Sequence, residues 1–173
     1  MLRIIGTQGN VQDVDSFLEI LLSFAQKYDI TIQAFDADMI YGKNHLISSV
    51  EHAARAIKRK TNTTNSLGME ILLYASGERQ LKLAIPKMGI KEGGRNIAFV
   101  FVGYIGETKG KMTDHLIDEM LGSLSLHRND DVLEGDEDVL RRFGIDENEI
   151  KTVTKAKYGN LILEKVAMVD IIK

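Results

Sequence analysis

Between Arg55 and Arg95 the chain carries nine basic residues (Arg55, Lys58, Arg59, Lys60, Arg79, Lys82, Lys87, Lys91 and Arg95) against three acids, Glu70, Glu78 and Glu92. The next stretch, 96–150, reverses the balance, with five basic residues and thirteen acidic ones. A formal net charge of -3 conceals this split. The local field does not conceal it, because a concentrated positive stretch on a globular surface attracts polyanions. Arg55 and Arg59 are four apart and share a helix face, and Lys58, Arg59 and Lys60 crowd the expected end of that helix. The polar run Asn62 to Ser66 adds side-chain donors beside them. Farther on, Ser76 and Gly77 precede an expected helix start whose free N–H groups favour an anion, with Arg79 and Gln80 in its first turn. A phosphodiester would there meet cations, amide donors and backbone N–H groups together. Tyr74, one turn earlier, either stacks on a base or belongs to the core. The plainer reading of the cations is that they offset a helix dipole and keep the surface soluble.

Other chemistries find less support. There is no cysteine, which excludes disulfides and thiolate metal sites. The histidines His45, His52, His115 and His127 are not in an HExxH spacing. His45 and His52 share a helix face, but no carboxylate at ligand spacing completes a site, so no metal is expected. Gly106 to Thr113 reads GETKGKMT after a buried strand and before a helix. A phosphate loop needs four residues between its glycines and a hydroxyl directly after the lysine. Here three residues separate Gly106 from Gly110, and Met112 follows Lys111. The acids Asp36 and Asp38, and Asp130 and Asp131, sit in turn or capping contexts, where aspartate is common for backbone reasons. No serine lies in GxSxG. No catalytic residue and no cofactor are expected.

These groups must be positioned by a fold, and 173 residues suit one domain spanning 1–173. Met1 to Ile5 reads as a strand and Gly6 to Gln12 as a turn. Asp13 or Asp15 then caps a helix with Phe17, Leu18, Leu21, Leu22 and Ala25 on one face. Ile30 to Phe35 alternates as a half-buried strand does. Asn44 is expected to cap a helix over His45–Lys60, with Thr61–Asn65 closing it. Ser66 caps another, Leu67–Ala75, which Gly77 ends. A further helix is expected from about Glu78 to Met88, with Pro86 bending or ending it. Asn96 to Tyr104 reads as a strand buried on both faces. Thr113 caps a helix to about Leu124, Asp136 and Asp146 begin two short ones, and 160–168 is helical. The expected class is α+β, a small mixed sheet packed against several helices. The start lacks the pattern of a secretory signal, and the longest apolar run, Ile97 to Ile105, is far short of a membrane span. A soluble cytoplasmic protein is expected.

The block NSLGMEILLYASGERQLKLAIPKMGIK, residues 65–91, resembles the signature of the PRPK-binding protein (TPRKB) family. NHLISSVEHAARAIKRK resembles that family's preceding helix, IAFVFVG its central strand and NLILEKVAMVDI its C-terminal element. The likeness covers nearly the whole chain in the right order. Pro86 is a departure, standing where relatives carry a polar helix former.

The resemblance implies a non-catalytic α+β protein, the small kinase-binding subunit of the KEOPS complex. That complex makes the threonylcarbamoyl modification on the tRNA adenosine next to the anticodon. In archaeal members this subunit binds the kinase/ATPase subunit and holds the single-stranded 3′ CCA end of tRNA. The implied partners are therefore that PRPK-like kinase and the tRNA 3′ end, with no membrane. Carried onto this sequence, tRNA binding falls on Arg59, Lys60, Asn65, Arg79 and Gln80, and beyond them on Arg55, Lys58 and Lys82. Met168, Ile171 and Ile172 are candidates for regulating the partner, plain packing or a frayed end being the other reading. Two alternatives stand beside the tRNA reading: a protein-only regulatory adaptor of the kinase, and a nucleotide enzyme built on the glycine loop Gly103 to Gly110.

Overall fold

The computed structural model describes residues 1–103 and 112–172. Its sheet contains β1 (Leu2–Gln8), β2 (Ile30–Asp36), β3 (Asn96–Gly103) and β4 (His127–Arg128) in the order β2-β3-β1-β4. Every pairing among the described strands is antiparallel, so the sheet is not the mixed one expected. β1 runs three residues beyond Ile5 because Gly6, Thr7 and Gln8 pair with Ala98, Ile97 and Asn96. The two-residue β4 has no pattern of its own and exists only by pairing with Thr7 and Gln8.

β3 is the strand on which both layers of helices rest. Its Ala98 and Val100 face one core, and its Ile97, Phe99 and Phe101 face the other. This explains the unbroken apolar run in the sequence, since both faces of the strand are covered. On the second face lie α1 (Val14–Tyr28), capped by Asp13 rather than Asp15, and α5 (Asp114–Ser123), capped by Thr113. On the first lie α2 (Gly42–Arg59), α3 (Leu67–Ser76), α4 (Leu81–Met88), α6 (Glu137–Phe143), α7 (Glu147–Lys151) and α8 (Tyr158–Ile172). Asp136 and Asp146 cap α6 and α7 as expected. α8 extends two residues before Asn160 and four beyond Met168.

α2 begins at Gly42, earlier than Asn44, and its N-cap Tyr41 makes no side-chain capping bond. Tyr41 N–H donates to Nδ1 of buried His45 at 3.2 Å. α3 is the central helix: Ile71, Leu72, Leu73, Tyr74 and Ala75 are all buried. Gly68 lets it approach the sheet, for a Cβ there would lie 2.8 Å from Gln33 Oε1. Burial of each of its large apolar side chains stabilises the fold by roughly 2 kcal/mol.

Candidate nucleic-acid interface

α2 and α3 form an antiparallel hairpin, and this decides where every expected RNA contact falls. His45 Nε2, near the start of α2, donates to Ala75 O near the end of α3 at 2.8 Å. At the other end, the loop after α2 binds the first turn of α3: Thr63 N–H and Thr64 N–H donate to the Glu70 carboxylate at 3.1 and 2.9 Å. α3 has 10 residues and is therefore about 15 Å long. Arg55, Lys58, Arg59, Lys60 and Asn65 lie at one end of this hairpin, and Arg79, Gln80 and Lys82 follow the other. Arg59 and Arg79, both expected to bind tRNA, therefore lie at opposite ends of the hairpin. A surface hollow at the first end is lined by Ala54, Arg55, Lys58 and Arg59, with no residue of the α4 start.

The α2 end is open and cationic. Arg55, Lys58, Arg59, Lys60 and Asn65 are all exposed. Arg55, Lys58, Arg59 and Lys60 form no ion pair among the described residues, although eleven ion pairs occur elsewhere. Helix carbonyls at this terminus favour the cations. Lys60 ends the helix in the left-handed region, at φ 58, a conformation costing a non-glycine residue about 1 kcal/mol. Its turn lets Thr61 N–H return to Ala56 O at 2.9 Å.

The α4 end is different. Gly77 caps α3 in the left-handed region at φ 69, and Ser76 Oγ accepts Glu78 N–H, so α4 starts at Leu81 rather than Glu78. Gln80 is the N-cap of α4 but makes no side-chain capping bond. Arg79, Gln80 and Lys82 are exposed around this helix start. Lys87 is not part of it. Its Nζ donates to Ser76 O at 2.7 Å and to Glu78 at 3.2 Å, and it lies 4.0 Å from the Phe143 ring. Burial pushes its pKa below the usual lysine range, against the pull of Glu78. Pro86 sits in the last turns of α4, which ends two residues later.

Tyr74 cannot stack on a base. It is fully buried, and its hydroxyl donates a short hydrogen bond to Asp170. Burial, then that carboxylate, raise its pKa. Asp170 also bonds His52 Nδ1 at 2.7 Å. Tyr41 lies against Gly159 at the other end, so α8 runs parallel to α2. The end of α8, with Met168, Ile171 and Ile172, therefore lies beside the middle of α2 at His52, on the way to its cationic end, although more than 100 residues separate them in sequence. Those three residues are 40%, 74% and 38% exposed.

The remaining expected groups are engaged in structure. Asp36 accepts Asp38 N–H at 3.1 Å and pairs with Lys91 at 3.0 Å, and Asp38 accepts from Asn96 at 2.9 Å. Asp130 accepts Gly6 N–H at 2.8 Å and pairs with Lys43, and Asp131 stands exposed in a 3-10 turn. The stretch Gly106 to Lys111 lies outside the described residues. Among the described residues no group of three or more His, Asp or Glu side chains could hold a metal, and no helix is long and apolar enough to cross a membrane. Sequence reasoning missed the two carboxylates that organise this end, Glu70 and Asp170. The acid at 70 in the first turn of a helix after a polar run was the available signal; Asp170 offered none.

An antiparallel sheet clad by helices, with an open cationic helix end, defines a protein of the α+β class. The model of the family described as kinase binding protein CGI-121 matches residues 9–170. The chain is also similar to the regulatory protein Cgi121 of Methanocaldococcus jannaschii, with 30% identity over 148 residues, covering 83% of this chain and 86% of that one. The chain belongs to the CGI-121 kinase binding protein family, as the resemblance to PRPK-binding proteins led one to expect.

Proposed function

We propose that this chain is a non-catalytic subunit of the KEOPS complex for tRNA threonylcarbamoyladenosine synthesis. In this reading it is a single cytoplasmic domain that binds the kinase/ATPase subunit and seats the single-stranded 3′ CCA end of tRNA on the end of α2. The observation that carries the RNA part is the group Arg55, Lys58, Arg59 and Lys60: four exposed cations on one helix end, in no ion pair among the described residues. Single-stranded RNA is held by such a positive surface along its backbone, with polar groups reading the splayed bases. Asn65 supplies a donor and an acceptor beside them. Met168, Ile171 and Ile172, exposed near the end of α8, give a kinase an apolar contact that would sense an occupied RNA seat. Arg79, Gln80 and Lys82 make a second, outlying contact with the backbone.

The test is a titration of the chain and its kinase partner with intact tRNA and with tRNA trimmed of its CCA end. Trimming lowers affinity on this reading, and equal binding of the two removes the 3′-end assignment. The exposed apolar residues at the end of α8 favour one other reading, a protein-only adaptor. Charge reversal at Arg59 and Arg79 separates the two, because an adaptor without RNA contact keeps full modification activity.

A further inference from the structure

We infer that Glu70 is a positioning residue for the RNA seat: its buried carboxylate holds the loop 61–66 in one conformation, so that Lys60 and Asn65 are presented to RNA already ordered. The inference rests on the assignment of the RNA seat to the end of α2.

Glu70 is fully buried in the first turn of α3. Its Oε2 accepts Thr63 N–H at 3.1 Å, Thr64 N–H at 2.9 Å and the Thr64 hydroxyl at 3.2 Å, and its Oε1 accepts Thr63 N–H at 3.3 Å. Consecutive amides converging on one point form a nest for an anion, and here the anion is supplied by the protein itself. A carboxylate suits this place because it only accepts, whereas the amide of glutamine would turn N–H against N–H. Burying the charge is offset by charge-assisted bonds and by the positive end of α3.

Glu70 is not needed to start α3. Ser66 already does that, accepting Met69 N–H on its hydroxyl at 3.4 Å and Glu70 N–H on its carbonyl at 2.9 Å. What the carboxylate fixes is the loop. Within it, Thr61 donates to Ala56 O at 3.4 Å and Asn62 to Thr64 O at 2.8 Å, and the single proton of the Thr64 hydroxyl is shared between Glu70 and Ser66 O, the latter at 3.0 Å. These side chains are spent on the loop itself. Asn65 is the contrast: its amide is exposed and makes no hydrogen bond among the described residues. With the Thr63 and Thr64 amides filled by Glu70, a phosphate is left to the side chains of the α2 end, and Asn65 is left to a base. A loop ordered in advance spares RNA the entropy of ordering it.

The experiment uses the full chain with its kinase partner and compares wild type, Glu70→Gln, Asn65→Ala, the double variant and Arg59→Glu. Amide hydrogen exchange at Thr63 and Thr64, kinase capture, and tRNA affinity across a salt series are measured. Glu70→Gln should speed exchange at both amides and weaken tRNA binding about tenfold. It should leave kinase capture intact and the slope of log affinity against log salt unchanged, because no phosphate contact is lost. Asn65→Ala should cost less in the Glu70→Gln background than alone. A Glu70→Gln protein whose loop amides exchange fast, yet which binds tRNA as tightly as wild type while Arg59→Glu weakens it, overturns the positioning role and leaves the RNA seat standing. If Arg59→Glu is silent as well, both fall. Should Glu70→Gln not fold, Thr64→Val carries the test: weaker tRNA binding supports the role, and unchanged binding overturns it.

Discussion

The two ends of α2 treat their polar groups in opposite ways. At the first end, His45 is buried with both ring nitrogens bonded, one accepting Tyr41 N–H and the other donating to Ala75 O, and its carbonyl accepts the Ser49 hydroxyl at 2.7 Å. Burial pushes its pKa down to about 4, so the ring stays neutral. At the last end, Arg55, Lys58, Arg59 and Lys60 are exposed and form no ion pair among the described residues. The acidic corner at α6 and α7 completes the contrast, for there Arg141 is bracketed by Glu137, Asp138 and Glu147. Polar groups that close on one another serve the fold. Charges gathered in one place and left open are the ones available to a ligand.

The comparison can be broken most sharply at His45. Its folded pKa lies below the ordinary 6.5, so the unfolded chain takes the proton first as pH falls. Stability from this group is complete above about pH 6.5 and is lost towards pH 4, by roughly 3 kcal/mol in all. Denaturant titrations at pH 7 and pH 4.5 should show the loss in wild type, with a smaller one in His45→Gln. Equal losses in both would show that the first end of α2 is not built around a neutral histidine.

At the last end the expected effect is on binding and not on folding. Combined Arg55→Glu and Arg59→Glu should weaken tRNA affinity by roughly thirtyfold and flatten its salt dependence. The denaturation midpoint should stay where it was, since neither side chain has an ion pair among the described residues to lose. A large drop in the midpoint would mean that these cations hold the fold after all. Arg79→Glu, about 15 Å along α3, should weaken tRNA only about threefold. An effect as large as that of Arg59→Glu would put the two cationic groups in one site. Smallest is Arg141→Ala: exposed bridges contribute little, so both the melting temperature and tRNA affinity should hardly move.

Much of the fold was legible because its signals are local. Asp13, Ser66, Thr113, Asp136 and Asp146 each cap the helix that follows them, since a short acceptor side chain can reach the free N–H groups of the next turn. Gly77 ends α3 because it enters the left-handed region without cost. The double-faced burial of β3 showed in its unbroken apolar run. The start of α2 was misplaced because its N-cap, Tyr41, is not a capping residue type and makes no side-chain capping bond. β4 was missed because two residues carry no period.

The candidate site was legible only in part. Clustering of Arg55, Lys58, Arg59 and Lys60 follows from one helix turn, so their spacing showed it. Whether Arg79 joins them does not follow from spacing, and the antiparallel hairpin sends it to the far end. Tyr74 looked equally able to stack on a base or to fill the core until Asp170, 96 residues away, settled its place.

By itself the sequence determined what adjacent residues can do to one another: the caps, the helix faces, the charge split between 55–95 and 96–150, and the family signature. Tertiary structure alone decided which charges stay open, which carboxylate disappears beneath the 61–66 loop, and that the end of α8 lies beside His52 of α2. Those outcomes rest on contacts between segments distant along the chain, and no local preference of the backbone encodes such contacts.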